Sequence, residues 1–541
     1  MSPSPAARII PASTAVGLAC ALWAAFAQDA APPASTEESA APGSGSFEIP
    51  PLAAKYCSGC HLIPPPWTMP RGHWPEVFEY MEEWVKERGM PHDSAEYAEL
   101  LAFYEEHSPA EFEPIPDDYE DSPLEFLRTS VGLQCTDPRP RITNVNVVDL
   151  DGSGRDGVLV CDDVSGKVSW LRIEDTSWTE KPIAQLETPV KTHVFDYNDN
   201  GHLDIVVADL GYLSPTDDLI GAAYLLINQG DQTYETIPLL QGVARVADIK
   251  PGDFFGNGRK DFAVAMFGWR KTGGVVLLEQ LTPTLFRSHT VINLNGAMQL
   301  EVVDFDGDGR DDFVVLFSQE HESLVLFRNQ GGGAFSQEVL ARASHPAFGS
   351  SGFQLVDLDG DGDLDILYTN GDMMDEISIP KPYHGVRWFE NVDGQFRQHE
   401  LARMTGCYRA VARDMNGNGH LDIVVTSLNF YWDENDAPSA IWLENDGKQN
   451  FTPRRIDYSP TNLVTMDVGD LNGNGLLDIV VGGLHVPGPL GRHGRLHVFF
   501  QKEPGLEEKL TGAAARGEEG AGAAPEAEKG TEAPEAPAPP P

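Results

Sequence analysis

Basic residues are scarce in this 541-residue chain: 38 Lys and Arg stand against 83 Asp and Glu, a formal net charge of −45. That excludes a nucleic-acid partner, because no basic footprint is there to neutralise phosphates. An anionic membrane surface is excluded on the same ground. Cysteine is scarce too, with only Cys20, Cys57, Cys60, Cys135, Cys161 and Cys407. Cys57 and Cys60 share one motif. Cys135, Cys161 and Cys407 remain, and the expectation for them is a Cys135–Cys161 bridge with one free thiol, set against three buried small hydrophobes. Long apolar runs are limited to Ala15–Ala25, too short to span a bilayer. No G-x-S-x-G, H-E-x-x-H or Walker loop occurs. The chain is too long for a single core, so two or more domains are expected.

Residues 1–27 read as a secretory signal peptide. Arg8 supplies the positive start, and Ala25-Phe26-Ala27 has the small-x-small form of a cleavage site. Residues 28–46 are an Ala/Pro/Ser/Glu-rich linker, and residues 504–541 an Ala/Glu/Pro/Gly-rich tail, both expected to be disordered. The expected location is therefore exported, periplasmic or extracellular, with no membrane span in the mature protein.

Tyr56-Cys57-Ser-Gly-Cys60-His61 is a C-x-x-C-H motif, the signature of covalent haem c attachment. Two thiols bond the porphyrin, and the adjacent His stands where its imidazole reaches the iron. No second C-x-x-C follows, which argues against zinc. The sixth ligand is expected from Met81, with Met90 as the alternative; Met69, His73 and His92 stand behind them. Residues 73–88 predict a helix with an apolar face through Val77, Met81 and Val85 together with Trp74 and Trp84. Ser94–His107 predicts a second helix, capped by Asp93 or Ser94. Residues 47–120 resemble a small all-α monohaem cytochrome c domain, in which a Trp seven residues before a Met resembles Trp74…Met81. That resemblance implies one covalent haem and electron transfer.

From about residue 123 helical periodicity gives way to short Val/Ile/Leu-rich runs between Gly/Asp/Asn turns. One nine-residue loop recurs seven times, beginning at Asp149, Asp196, Asp253, Asp304, Asp357, Asp414 and Asp470, so the copies lie 47 to 57 residues apart. The fourth reads Asp304-Phe-Asp-Gly-Asp-Gly-Arg-Asp-Asp312. Carboxylates at alternate positions of a tight loop converge on one point and repel unless a cation sits there, and Ca²⁺, with six to eight oxygen ligands, suits them. The ligands expected are Asp304, Asp306, Asp308, the Arg310 carbonyl and Asp312 in that loop, and Asp357, Asp359, Asp361, Asp363 and Asp365 in the next. Further sets are Asp196, Asn198, Asn200 and Asp204; Asp414, Asn416, Asn418 and Asp422; and Asp470, Asn472, Asn474 and Asp478. Gly157 replaces the ninth residue of the first copy, and Phe255 the third residue of the third, so metal is in doubt there. An EF-hand is excluded, because position 12 is Val315 inside a strand rather than Glu.

Within a unit one apolar run enters the loop and others leave it, four runs at this period, which predicts a mainly β, seven-bladed propeller of four-stranded blades over residues 123–503. In the fourth unit the strands are expected at Leu300–Val303, Phe313–Phe317, Ser323–Phe327 and Ala334–Leu340. The seventh unit lacks a fourth strand, and Leu124–Thr129 is expected to supply it. The seven loops resemble the FG-GAP/VCBS repeats of secreted bacterial propellers and integrin α-chain heads, whose loops bind Ca²⁺.

The connections between second and third strands are long and aromatic, and long connections on a rigid scaffold often carry function. Trp269, Arg270, Asp372, Tyr383, His384, Tyr431, Trp432 and His485 are the candidate residues for a ligand face at the channel mouth, on the rim away from the Asp loops. Two functions stay open, with an electron-transfer or binding protein favoured over a catalytic propeller. One is electron transfer with the propeller as docking platform for a redox partner protein. The other is a haem-coupled oxidoreductase, or a carbohydrate-binding or adhesion module, with its ligand on that face.

Overall fold

The computed structural model describes residues 8–11, 48–59, 61–131, 140–174, 177–374, 377–429, 437–459, 462–484 and 496–502. Most of the expected signal peptide, linker and tail, with Cys60 and Cys135, lie outside them.

Seven sheets follow one another along the chain, each built on four antiparallel strands that run in sequence order in blades 1 to 6. Blade 1 begins at Ile142, blade 2 at Pro189, blade 3 at Val246, blade 4 at Ala297, blade 5 at Ser350, blade 6 at Cys407 and blade 7 at Leu463. In blade 4 the strands are Ala297–Val303, Asp312–Phe317, Ser323–Asn329 and Phe335–Arg342. Blade 7 is closed by Phe126–Val131, which pairs antiparallel with Leu496–Gln501. The two ends of the propeller sequence thus share one sheet, two residues later than Leu124–Thr129. Two short parallel additions flank the ring: Arg8–Pro11 beside the outer strand of blade 3, and Glu120–Asp121 beside that of blade 6.

The apolar runs dictate this stacking. Every second strand, such as Asp312–Phe317 (DFVVLF) or Asp422–Ser427 (DIVVTS), is buried along its whole length. A strand apolar on both faces needs cover on both, and the neighbouring blades supply it. Seven clusters fill the seven gaps between blades; Phe254, Phe313, Phe317 and Phe327, for example, pack between blades 3 and 4. Outer strands alternate instead, as Phe335–Arg342 does. Cys161 sits in the gap between blades 1 and 2 as a free, fully buried thiol. The expected Cys135–Cys161 bridge is therefore not formed: Cys161 fills the role of a small hydrophobe inside a strand.

The N-terminal part is a small helical unit. Helix α1 spans Pro51–Tyr56, α2 Trp74–Glu87 and α3 Ser94–His107. A single 3-10 turn at Arg71–His73 leads into α2. Asp93 caps α3, its carboxylate accepting from the Ala95 and Glu96 amides at 2.9 and 3.2 Å. Trp74, Phe78, Leu100 and Tyr104 make the core, with Ala53 and Tyr56 of α1. No helix among the described residues is long and apolar enough to cross a membrane.

Candidate functional site: a cavity between the helical unit and the channel mouth

Helix α1 delivers the C-x-x-C-H stretch. The Cys57 amide donates to the Ala53 carbonyl at 2.8 Å, ending the helix there. The Tyr56 hydroxyl donates to Glu96 at 2.6 Å and accepts from the Asp93 amide at 3.2 Å, tying the stretch to the start of α3. The His61 Nδ1 lies 2.6 Å from the Leu62 carbonyl. A carbonyl only accepts, so Nδ1 carries the proton and Nε2 holds the lone pair. Burial pushes this imidazole below its ordinary range, keeping it neutral. Met90 lies beside Gly59, where an added Cβ would stand 3.4 Å from the Met90 methyl.

These residues open into a cavity of about 1250 Å³. Cys57, His61, Met69, Met81 and Met90 line its helical side, and the propeller closes the other. The helical unit rides on the rim away from the Asp loops. There the Arg270 guanidinium donates to the Tyr80 hydroxyl at 2.6 Å and lies 4.0 Å from the Trp84 ring centroid. On the far side the Tyr383 hydroxyl donates to the Thr68 carbonyl at 3.1 Å, and Trp67 stands edge-on to His345 at 5.2 Å. Ile377 and Ile379 of blade 5 pack against the helical core.

Beneath lies the central channel, lined by first strands. In the pairing register Ile142, Pro189, Val246, Ala297, Ser350, Cys407 and Leu463 are equivalent. Two residues further on comes a ring of Asn144, Lys191, Asp248, Gln299, Gly352, Arg409 and Thr465. Two more give a deeper ring of Asn146, His193, Lys250, Glu301, Gln354, Val411 and Asp467. Most polar groups here are engaged. Asn144 donates to Thr192 at 2.9 Å, and Gln299 to the Phe353 carbonyl at 2.7 Å. Lys250 pairs with Glu301 at 3.0 Å. Burial alone would lower the Lys250 ammonium, but Glu301 and Asp248 outweigh it and hold it up. His193 is pushed down to about 4 by burial, with Lys250 adding to the effect, so it is neutral at pH 7. Lys191 is pushed down to about 8 by burial, with Arg409 adding to the effect.

The Asp loops stand on the opposite rim, and their hydrogen bonding repeats. The first Asp accepts from the fifth and sixth amides, as Asp304 does from Asp308 and Gly309 at 3.0 and 2.9 Å, except that Asp357 takes the fourth and sixth, Gly360 and Gly362. The ninth Asp is buried and bridges two strands. Asp312 accepts from the Phe305 amide at 3.1 Å and from the Asn329 amide at 2.7 Å. Asp204, Asp365 and Asp422 accept likewise from the amides of Asn228, Asn391 and Asn445. Each of those Asn side chains returns a bond to the loop's eighth carbonyl, at 3.0 to 3.2 Å. This Asp–Asn staple is absent from the sequence reading; its only signal is the recurring Asn in the third-to-fourth-strand turn. Carboxylate oxygens converge within 4.8 Å in two loops, at Asp304, Asp306 and Asp312 and at Asp357, Asp359 and Asp361. Arg310 contributes an ion pair to Asp308, and Arg328 stands 3.4 Å from Asp306. Asp156 of the first copy sits at the eighth position, level with Asp311, which caps the Asp253 amide of the preceding blade at 2.6 Å.

The candidate ligand face divides. Trp269, Arg270 and Asp372 line the cavity. Tyr383 holds the helical unit. His384 is 0% exposed, turned into blade 5 where the Gly406 amide meets its Nδ1 at 3.4 Å, so it does not line the mouth. Tyr431, Trp432 and His485 lie outside the described residues. What the reading missed is that this rim is covered by the chain's own helices, and that Lys191 and Arg409 face the same space. The signal for the pair is polar residues at alternate positions of a first strand, as in Val190-Lys-Thr-His-Val194.

The fold defines a seven-bladed β-propeller carrying a helical unit on one rim. Residues 290–368, running through blade 4 into blade 5, match the family model described as FG-GAP-like repeat. No curated protein matches the sequence. Among solved structures, a chain of the Photorhabdus luminescens Tc holotoxin pore is similar at 16% identity and a TM-score of 0.30, over 71% of this chain and 15% of that one. This chain spans about 15% of that protein's length.

Proposed function

We propose that this chain is an exported haem c protein. In this reading the helical unit, a cytochrome c-like domain, carries single electrons, and the propeller forms the ligand-binding half of the same cavity. The observation that carries it is the shared space, which Cys57 and His61 line from one side and Lys191 and Arg409 from the other.

The residues fit the group. His61 engages Nδ1 with a backbone carbonyl and leaves Nε2 for a metal, the arrangement that orients a ligating imidazole. Met81 and Met90 both line the cavity, and a thioether from either would raise the reduction potential relative to a second His. Bound haem would supply one-electron chemistry. Trp74, Phe78, Leu100 and Tyr104 line the same cavity and would keep water from the group, and Tyr56 holds the attachment stretch against α3.

The direction in which the stretch faces favours a haem-coupled oxidoreductase or ligand-gated electron carrier over an open docking platform. The helical unit covers the rim that a redox partner protein would use. A carbohydrate-binding or adhesion module would leave the C-x-x-C-H stretch without a role. Calcium in the loops at Asp304 and Asp357 is part of the proposal, as a brace rather than a reactant. Reduced-minus-oxidised absorption spectra test the haem, and Met81→Ala and Met90→Ala test its sixth ligand. One variant should lose the Met-ligated signature while the other keeps it. Spectra unaltered in both would remove the Met assignment, and a protein without any haem spectrum would remove the reading.

A further inference from the structure

Charges in the channel mouth are unevenly paired, for its two rings hold the cations Lys191, Lys250 and Arg409 and, among the described residues, only Lys250 has an ion pair. Three carboxylates belong to the two rings. Asp248 accepts from the Ile249 and Leu300 amides at 2.8 and 3.1 Å, and burial pushes its carboxyl up. Glu301 is taken by Lys250. Asp467 accepts from the Val147 and Val468 amides at 2.7 and 2.9 Å. Lys191 and Arg409 are left: among the described residues neither has a carboxylate within ion-pair distance. They stand at equivalent positions on blades 2 and 6, across a seven-blade ring, and each repels the other's charge into a shared space. Asp248 and Glu301 act on Lys191 from a distance and hold it up against burial, but both carboxylates are already engaged, so an anion in the shared space would pair directly with cations that have no ion-pair partner among the described residues.

We propose that the channel mouth under the helical unit binds a small organic carboxylate between Lys191 and Arg409. The proposal rests on the reading of the cavity as the functional pocket and adds the class of its ligand. The guanidinium fork of Arg409 matches a carboxylate in two parallel hydrogen bonds. Lys191 supplies a compact charge to the opposite end. The position lies in the cavity that His61 also lines, so a carboxylate bound here shares the haem's pocket. A neutral sugar would leave both cations unmatched.

The test is calorimetric titration of the full mature chain, at low ionic strength, with acetate, succinate, citrate, inorganic phosphate and glucose. The expected result is binding of at least one carboxylate. It should weaken about tenfold or more in Lys191→Met and in Arg409→Gln, in line with truncation of one partner of a buried charge pair. Arg409→Lys, which keeps charge without the fork, should fall between. If a variant fails to fold, the wild type still decides: carboxylate binding must weaken as sodium chloride is raised, and salt-independent binding overturns the proposal. No carboxylate binding, binding unaltered in both folded variants, phosphate bound in place of every carboxylate, or glucose bound equally well would each overturn it. Haem content measured on the same sample separates the two readings. Haem-loaded protein that binds no carboxylate removes this inference alone. Carboxylate binding by haem-free protein supports it and removes only the haem assignment.

Discussion

The Arg270 guanidinium lies 4.0 Å from the Trp84 ring centroid and 2.6 Å from the Tyr80 hydroxyl, joining a blade 3 loop to helix α2. Asp217 fixes that loop from beneath, its carboxylate accepting from the amides of Arg270, Lys271 and Thr272 at 2.8 to 3.0 Å. Cation–π and hydrogen-bond contributions together are worth about 2 kcal/mol. Arg270→Ala should therefore speed hydrogen exchange in residues 74–107 by more than about tenfold while leaving the blade strands protected. Equal protection in both proteins would show that the helical unit is held elsewhere.

Asn329 donates to the Phe254 and Asp311 carbonyls, both at 3.1 Å, and accepts from the Gly331 amide at 2.9 Å. Asn329→Ala leaves those groups unmatched in the blade interior. The expected loss is about 2 kcal/mol, read from urea denaturation. A loss below about 0.5 kcal/mol, the range of ordinary surface changes, would mean that the Asp312–Asn329 staple is ornamental.

Asp261 is buried, and burial pushes its carboxyl up to about 6, above the ordinary value for Asp. A folded-state value above the unfolded one means that the fold favours the protonated form. Its contribution is present below about pH 4 and is lost as pH rises through about 6. Asp261→Asn is neutral throughout. The melting temperature of the variant relative to wild type should climb between those values and then level. A difference that stays flat with pH would contradict the assigned shift.

The seven blades, their order and the closure by the segment before blade 1 are legible in the sequence. The Asp-Gly loops repeat in register, and each is followed by an apolar run that only stacked blades can bury. The seat of the helical unit is not legible. It depends on Trp67 meeting His345 and Trp84 meeting Arg270, contacts that no local pattern encodes. Lys191 and Arg409 escape notice because ring geometry, not spacing, brings them to one space. His384 misleads because a polar residue closing a long loop resembles a mouth residue, yet it is followed by Gly385, the start of a buried strand.

Convergence of Asp304, Asp306 and Asp312, and of Asp357, Asp359 and Asp361, within 4.8 Å places like charges close together. Calcium should raise the melting temperature and chelation lower it, by an amount that follows mass action and reaches about 2.7 kcal/mol at a hundredfold excess over Kd. Asp306→Asn with Asp359→Asn should remove most of that response. A melting curve indifferent to calcium would remove the metal from these loops.

The haem assignment is tested most directly by the pyridine haemochrome spectrum of chain exported from a host equipped for haem c assembly, taken after acid–acetone extraction. Haem held by Cys57 and Cys60 stays with the protein, so one covalent haem per chain is expected, and none in Cys57→Ser with Cys60→Ser. A haem-free chain in which both thiols react with an alkylating reagent would contradict it.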